Sequence, residues 1–492
     1  MSWIAVDAGT SILKAVAFDS AGRETALARQ KMDILRPASG FAEQSMQEVW
    51  NAVVATVRMV AAEVQDTIEG ISVTAQGDGC WLVDANGLPV GDAILWNDAR
   101  ASAIVEGWRT RDVTEEAFRV SGSVPYAGLQ SAIFHWLREN DPERLASARF
   151  AMSCNGWIFS KMTGRYIADC SDSSNPFSDV RNRCYSSELL QIFGAEGERR
   201  LLPEIARGDQ LMGTLTKRAQ EELGISESTP VVMAPYDIVS TAYGAGASSM
   251  GQACLILGTT ICAETVTNSI DLSGLPAGTT LALEDGCYSR AMPTLTGCET
   301  LDWAVKLLGL SKIDELEALA SGASPGAGGL IFLPYLSEAG ERAPFLDPSA
   351  HGSFHGLNLS TRPVEVARAI YEGLSFVIRE CLNAATERVR TLKVCGGGAR
   401  SDLWCQMIAD VTGIPVQRPD GNELGARGAF LFGQYITGKL PRIADGDFKY
   451  PVEATEFFPS PAARQRYERR FRLFRETRNF ARLQWALKEE LA

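Results

Sequence analysis

Long apolar segments and a basic leader are missing from this sequence of 492 residues. Because no run of about 18 apolar residues occurs, we expect no membrane-spanning helix and no membrane partner. The strand-like residues 2–8 follow Met1 directly, without the basic and apolar regions of a signal peptide. Together, these two absences predict a cytoplasmic protein.

Positive charge is also scarce, since 47 Lys and Arg residues stand against 60 Asp and Glu residues and the net charge is −13. Nucleic acids bind to basic faces, so we expect no nucleic-acid partner. A small anionic ligand remains compatible with this charge, because a local group of donors suffices to hold it. The length and the hydrophobic fraction of 46% are typical of a globular protein with two or three domains.

Nitrogen and sulfur ligands for metals are few. The 11 cysteines form no C-x-x-C pair, so we interpret them as reduced core thiols and expect no zinc site. Of the three histidines, His351 and His355 are four residues apart, but the neighbouring glycines favour a loop, and His135 lies in a helix-like stretch. If the chain is an enzyme, its general base is therefore expected to be a carboxylate.

The first local pattern is a hairpin in which the strand-like residues 2–8 and 12–19 flank the turn Gly9-Thr10-Ser11. Asp7 precedes the turn and Lys14 follows it. Asp, Gly, Thr and Ser are ordinary turn residues, so a plain turn is one interpretation. The other is a site for phosphate and a metal ion.

The same pattern returns about half-way along the chain. Residues 252–266 again show a strand, a turn at Gly258-Thr259 and a second strand, and a later strand ends in Gly396-Gly397-Gly398. Glycines at strand ends let backbone N–H groups approach a phosphate closely. We therefore predict a duplicated α/β protein with domains at residues 1–245 and 246–492.

Other glycine motifs are incomplete. The segment from Gly433 to Lys439 has the spacing of a Walker loop, but Leu440 stands where Ser or Thr would hold magnesium. No G-x-G-x-x-G follows the first strand, which argues against a dinucleotide-binding fold. No G-x-S-x-G occurs, which argues against the nucleophile elbow of an α/β-hydrolase.

Asp237 lies where the apolar strand at residues 229–235 meets a helix-like stretch. A helix N-cap and a catalytic base both fit this position, and one role does not exclude the other.

Five segments, in this order along the chain, resemble motifs of the FGGY family of carbohydrate kinases, which belongs to the actin, Hsp70 and hexokinase superfamily. They are VDAGTS at 6–11, AILWNDAR at 93–100, ADCSDSS at 168–174, LPYL with GERAP at 333–344, and GGGARS at 396–401. The resemblance implies an α/β fold of two ribonuclease-H-like domains, of the actin and hexokinase type, with ATP and sugar in the cleft between them.

The resemblance also implies roles for individual residues. Asp7 would act on Mg²⁺ through water, and Asp237 would be the catalytic base. The residues implied on the ATP side are Thr10, Ser11, Lys14, Thr259, Gly297, Gly398 and Asp402. The residues implied on the sugar side are Asp78, Trp96, Asp98 and Tyr126. Core packing remains an alternative for Trp96.

The sugar side departs from the glycerol kinases of the family. Gly77-Asp78 stands where they carry Arg-Glu, and Ile238 stands where they carry Gln, so two polar groups that hold glycerol are missing. The segments at 75–79 and 237–242 are more similar to those of L-xylulose and erythritol kinases. This implies a small acyclic polyol or ketose as the substrate.

Three functions are weighed. The leading one is an ATP-dependent carbohydrate kinase whose two halves close on their ligands. The second is a non-catalytic sugar or nucleotide sensor on the same fold, which would not need Asp237 as a base. An ATPase of the actin or Hsp70 type would leave the sugar-side motifs unexplained. A homodimer is left open.

Overall fold

We describe the protein from a computed structural model, which covers residues 1–64, 66–226, 228–273, 276–284, 286–385, 387–421 and 423–491. Strands in the first half are β1 (Ser2–Ala8), β2 (Ile12–Phe18), β3 (Glu24–Lys31), β4 (Glu43–Gln44), β5 (Ile68–Ala75), β6 (Trp81–Val83), β7 (Ala93–Ile94), β8 (Phe150–Met152), β9 (Ile167–Ala168), β10 (Ser178–Asp179), β11 (Cys184–Tyr185), β12 (Glu204–Ile205), β13 (Met212–Thr214) and β14 (Pro230–Met233). Helices there are α1 (Met46–Glu63), α2 (Ser102–Arg109), α3 (Val113–Ser121), α4 (Gln130–Asn140), α5 (Pro142–Ser147), α6 (Cys154–Thr163), α7 (Ser187–Ile192), α8 (Lys217–Leu223) and α9 (Asp237–Gly244).

The second half continues the numbering. Its strands are β15 (Gln252–Leu257), β16 (Ile261–Thr267), β17 (Thr279–Ala282), β18 (Tyr288–Pro293), β19 (Ile331–Leu333), β20 (Ser353–His355), β21 (Thr391–Cys395), β22 (Val416–Pro419) and β23 (Ala454–Phe457). Its helices are α10 (Glu299–Leu307), α11 (Ile313–Ser321), α12 (Pro363–Asn383), α13 (Asp402–Thr412), α14 (Leu424–Ile436), α15 (Gly446–Lys449) and α16 (Pro461–Leu491).

Each half is built on one mixed sheet. The first sheet has the order β13-β14-β5-β1-β2-β3 and the second has the order β17-β18-β16-β15-β21-β22-β23. In the first, β1 pairs antiparallel with β2 and parallel with β5. In the second, β15 pairs antiparallel with β16 and parallel with β21. Both predicted hairpins are therefore present, each beside a parallel strand.

Helix α1 covers one face of the first sheet. The Ser45 hydroxyl accepts a hydrogen bond from the Glu48 amide and caps the helix. Val49, Val53 and Val57 are buried, as their helical spacing predicts. The helix thus spans Met46–Glu63, with its apolar face on the sheet.

Helix α9 from the first half crosses helix α14 from the second at close range. A Cβ atom on Gly244 would lie 1.8 Å from the Leu424 carbonyl oxygen, and one on Gly428 would lie 1.7 Å from that of Ser240. Only glycine allows backbones to approach so closely. Side chains of α14, such as Phe430, belong to the core of the first sheet, so packing does not follow the predicted division at residue 245. That division stays a prediction.

The hairpin β17–β18 of the second half docks on the first half. The Val124 amide donates to the Gly278 carbonyl at 3.0 Å, and the Ala282 amide donates to the Ser174 hydroxyl at 2.8 Å. Arg290, which is buried, donates to the Gly122 carbonyl at 2.9 Å. Elements of both halves therefore meet beside the segment at residues 168–174.

The arginines of the last helix are only partly on a solvated face. Arg478 donates to both carboxylate oxygens of Glu380 on α12 at 2.8 Å, and Tyr467 is fully buried between Arg368 and Glu372. No helix among the described residues is long and apolar enough to cross a bilayer.

Candidate active site

The tip of the first hairpin carries a charged pair. Asp7 on β1 faces Lys14 on β2, and the Lys14 ammonium lies 2.9 Å from a carboxylate oxygen of Glu423, directly before α14. Arg29 donates to the same Glu423 carboxylate. Burial raises the pKa of Asp7 to about 6; the Lys14 charge opposes this shift and the Glu423 charge adds to it. Lys14 is thus held near the predicted phosphate position by a buried carboxylate from the other half.

The Thr10 hydroxyl connects the tip to the sugar-side motifs. It donates to Gln76 Oε1 at 2.7 Å and accepts from Trp96 Nε1 at 3.0 Å. Trp96 is half-buried, so part of its side chain is exposed. Ser11, next to Thr10, is exposed at the turn. The structure thus brings together Thr10 and Trp96, which the sequence assigned to different ligands.

Asp78 lies at the centre of a polar group behind this tip. Its Oδ2 accepts from the Tyr126 hydroxyl at 2.6 Å and from the Tyr236 hydroxyl at 3.3 Å, and its Oδ1 accepts from Asn175 at 3.3 Å. Burial raises its pKa, while these hydrogen bonds lower it. Its φ of 55° is left-handed, a strained conformation that is often found at functional sites. A Cβ atom on Gly77 would lie 2.1 Å from the Tyr236 ring, so glycine is required there.

Asp98 lies two residues after Trp96 but has other partners. Its carboxylate accepts from the Ala42 amide at 2.6 Å and pairs with Arg100 at 2.9 Å. The Arg100 guanidinium also lies 4.1 Å from the centre of the Phe41 ring. Because both oxygens have buried protein partners, the structure gives Asp98 a part in packing, and its predicted role at the sugar remains without support.

Asp237 is the first residue of α9, just after β14, and it is half-buried. Burial raises its pKa well above the ordinary value for Asp, and the nearby charges of Asp7, Glu264 and Asp78 raise it further. The N-cap of α9 is Tyr236 rather than Asp237, so the capping interpretation is wrong. Asp237 therefore lies in one electrostatic group with Asp7 and Asp78.

The segment at 168–174 contacts the backbone that precedes Asp237. Asp169 accepts from the Ser171 amide at 2.8 Å, and the Ser171 hydroxyl accepts from the Tyr236 amide at 3.1 Å. The Thr74 hydroxyl donates to the Pro235 carbonyl at 2.6 Å. These contacts hold the backbone immediately before Asp237 from two sides.

Asp7 is suited to Mg²⁺. Magnesium commonly takes one or two carboxylates and keeps several water ligands. No described residue donates a hydrogen bond to the Asp7 carboxylate. A Cβ atom on Gly425 would lie 2.6 Å from the Asp7 Oδ2 atom, so only glycine fits at that position of α14. Among the described residues no group of three or more His, Cys, Asp or Glu side chains could hold a metal. Asp7 would therefore share the ion with water and phosphate oxygens.

The tip of the second hairpin is built mainly from backbone. Thr259 is exposed at the turn. Gly297 packs on this turn, because a Cβ atom there would lie 2.7 Å from the Thr259 carbonyl oxygen, and the Cys298 amide donates to the Gly258 carbonyl at 3.0 Å. A Cβ atom on Gly398 would lie 2.8 Å from Cys298 Sγ. The structure thus brings the predicted Thr259, Gly297 and Gly398 together.

Asp402 lies on the rim of this group. It is the first residue of α13, its side chain is 72% exposed, and it pairs with Arg418 at 2.8 Å. No contact ties it to Gly297 or Gly398, so its predicted role in the nucleoside pocket stays a prediction.

The sequence analysis did not single out four residues that contact the predicted site residues. Tyr236 and Asn175 bind Asp78, Glu423 pairs with Lys14, and the Arg342 guanidinium lies 5.5 Å from the centre of the Tyr126 ring. Tyr236 and Arg342 lie beside or inside quoted motifs, so their neighbours could have indicated them. Asn175 follows the segment at 168–174 directly. Glu423 has no local signal, because its partners Lys14 and Arg29 are about 400 residues away.

Comparison with known proteins decides the family. The model of the FGGY family of carbohydrate kinases matches with its N-terminal domain over residues 2–244 and with its C-terminal domain over residues 253–436. This chain belongs to that family. The expectation of a carbohydrate kinase is therefore confirmed.

Two curated relatives have a similar length. The chain is 31% identical to the erythritol kinase of Brucella abortus (strain 2308), with 96% of this chain and 95% of the relative covered. It is 30% identical to the L-xylulose/3-keto-L-gulonate kinase of Escherichia coli (strain K12), with the same coverage.

Solved structures of sugar kinases share the fold. A ligand-bound xylulose kinase from Lactobacillus acidophilus superposes with a TM-score of 0.92 at 22% identity, covering 99% of both chains. The glycerol kinase of Plasmodium falciparum with ADP gives a TM-score of 0.88 at 17% identity, covering 97% of this chain and 98% of the other. The predicted fold of two ribonuclease-H-like domains is confirmed.

Proposed function

We propose that this chain transfers the terminal phosphoryl group of ATP to a hydroxyl of a small acyclic polyol or ketose. The observation that carries the proposal is that Asp7, Asp78 and Asp237 lie at or just after the carboxyl ends of the adjacent parallel strands β1, β5 and β14. Phosphoryl transfer needs a base for the hydroxyl and accurate positioning, and these residues supply both.

Asp237 is the base in this proposal. Burial and the neighbouring carboxyls raise its pKa, and a carboxylate with a raised pKa holds a proton more strongly than an ordinary aspartate. It would therefore accept the hydroxyl proton as the oxygen attacks phosphorus. Mg²⁺, when bound, would neutralise part of the phosphate charge.

The acceptor would bind on the first half. Asp78 accepts hydrogen bonds, the Tyr126 and Tyr236 hydroxyls surround it, and the Trp96 ring offers an apolar face for the carbon chain. The nucleotide would bind on the second half, where Thr259 is exposed at the turn and Gly297 and Gly398 allow the chain to pack closely around it. Transfer requires the hydroxyl and phosphorus to be about 3–3.5 Å apart with water excluded, so we expect the halves to close on both ligands.

The test is ADP release by the full chain with Mg²⁺ and ATP, over a panel of polyols and ketoses that includes erythritol and L-xylulose. Mass spectrometry of the product identifies the phosphorylated acceptor. We expect ADP release that depends on at least one acceptor. Acceptor binding without ADP release from folded protein would contradict the proposal and favour the sensor.

A further inference from the structure

Arg342 extends from the second half to Tyr126 of the first half. It lies in the GERAP segment, where the buried Glu341 accepts hydrogen bonds from the Leu295 amide at 2.8 Å and from the Arg342 amide at 2.9 Å. Arg342 Nε donates to the Pro293 carbonyl at 3.0 Å. The backbone and the Nε atom of this arginine are therefore fixed by its own half.

The guanidinium of Arg342 lies over a residue of the first half. Its central carbon is 5.5 Å from the centre of the Tyr126 ring, and the hydroxyl of that ring donates to Asp78 at 2.6 Å. The positive charge lowers the pKa of Asp78, against the effect of burial. Arg342 of the second half and Asp78 of the first half thus both contact Tyr126.

The outer nitrogens of Arg342 have no hydrogen-bond partner among the described residues. Among the described residues no carboxylate forms an ion pair with Arg342, and the one hydrogen bond recorded for its side chain uses Nε. The Asp78 carboxylate, in contrast, already accepts from Tyr126, Tyr236 and Asn175. A carboxylate offers only acceptor positions, and both tyrosine hydroxyls already donate to it, so the guanidinium is the donor group that these contacts leave for an acceptor molecule.

We propose that Arg342 determines acceptor specificity, by donating hydrogen bonds to a carbonyl or carboxylate oxygen of the acceptor. This inference rests on the proposed function. A guanidinium only donates hydrogen bonds, and a carbonyl or carboxylate oxygen only accepts them. A hydroxyl oxygen of a polyol of the same length also accepts, but it carries no negative charge, and the guanidinium offers no acceptor for its hydrogen. The enzyme would therefore prefer a ketose or a sugar acid to the matching polyol.

The experiment compares three five-carbon acceptors, namely L-xylulose, L-xylonate and xylitol, in the ADP-release assay. The variants are Arg342→Met, which keeps most of the side-chain length without charge, and Arg342→Lys, which keeps the charge without the planar fork. Arg388→Met, at an exposed position of the same half, is the matched control. Thermal unfolding of every variant checks the fold.

For Arg342→Met we expect kcat/KM to fall about 10- to 100-fold with the ketose or the sugar acid, mainly through KM, and less than about threefold with xylitol. Arg342→Lys should restore part of the loss for the sugar acid, where charge matters more than geometry. A larger effect on L-xylonate than on L-xylulose would identify carboxylate as the preferred group, and the reverse would identify carbonyl.

An equal loss with all three acceptors would overturn the inference, because Arg342 would then only support the fold or closure. An unchanged kcat/KM with every acceptor would overturn it as well. In both cases the wild-type chain still releases ADP, so the proposed function stands. If the wild-type chain releases ADP with no acceptor of either panel, the proposed function itself fails.

Discussion

The two hairpins that begin the halves share their strand pairing but differ in chemistry. When the two hairpins are aligned at their turn glycines, Gly9 and Gly258, Ile256 stands at the position of Asp7. Across the hairpin, Asp7 faces Lys14, whereas Ile256 faces Cys262. The first hairpin therefore carries a charged pair at a position where the second carries none.

The strands that pair in parallel with the two hairpins also differ in the polarity of their side chains. Asp7 lies beside Thr74 on β5, and Ile256 lies beside Cys395 on β21. The chain then continues with the polar side chains of Gln76 and Asp78 in the first half, but with three glycines in the second. A polyol needs side-chain donors and acceptors, whereas a nucleotide phosphate can be held by backbone N–H groups. In the proposed function, one duplicated frame would therefore serve two kinds of ligand.

Substitution of Asp237, the proposed base, is the most severe test of the acceptor site that we propose for the first half. Asp237→Asn should lower kcat about 10²- to 10⁴-fold, because an amide cannot take the hydroxyl proton. ATP binding, measured by calorimetry, should change little, since the nucleotide is expected on the other half. Asp209→Asn, at an exposed position of the first half, is the control. A variant with near-normal turnover would remove Asp237 from the mechanism.

A buried carboxyl in the second hairpin allows a test by pH. Glu264 occupies the position that corresponds to the buried Val16 of the first hairpin, and burial raises its pKa from 4.5 to about 8. The folded state therefore keeps a proton that the unfolded state releases between these pH values. The contribution of this proton to the free energy of unfolding is fully present below pH 4.5. It decreases as the pH rises and is lost by pH 8, and the total loss is on the order of a few kcal/mol.

The measurement is chemical denaturation of wild type and Glu264→Gln at several pH values. The variant should lose this pH dependence and be more stable than wild type at pH 8, with little difference near pH 5. Glu453→Gln, at an exposed position, should follow wild type. Parallel curves for wild type and Glu264→Gln would mean that Glu264 is ionised in the folded protein.

Two neighbouring glycines, Gly397 and Gly398, test whether the nucleotide binds at the second hairpin. Gly398→Ala would place a Cβ atom 2.7 Å from the Trp404 ring, and should lower the free energy of unfolding by about 1–3 kcal/mol. At Gly397 no protein atom lies within 4 Å of a Cβ atom, so Gly397→Ala should unfold like wild type and yet raise KM for ATP. A stable Gly397→Ala variant with unchanged KM would place the nucleotide elsewhere.

The smallest effect is expected on the rim. Asp402 is mostly exposed and its ion pair with Arg418 is a surface pair, which typically contributes about 0–1 kcal/mol. Asp402→Ala should therefore change KM for ATP less than about threefold, measured by ADP release at saturating acceptor. A larger increase would bring Asp402 into the nucleoside pocket, as the family resemblance implied.

Local patterns predicted the hairpins well. Residues 2–8 and 252–257 form strands as expected, because alternation and turn residues act over a few positions. The same reasoning could not separate Trp96 from Asp98, which lie in one motif. Only the folded turn directs Trp96 to Thr10 and Asp98 to Arg100.

The sequence by itself determined that two similar α/β halves would each present a glycine turn, and that Asp7 and Asp237 would lie at strand ends. These features depend on neighbouring residues. The tertiary structure alone decided which charges meet, as when Glu423 pairs with Lys14 and Arg342 approaches Asp78. Such contacts join residues hundreds of positions apart, and only the packing of the two halves brings them within reach of one another.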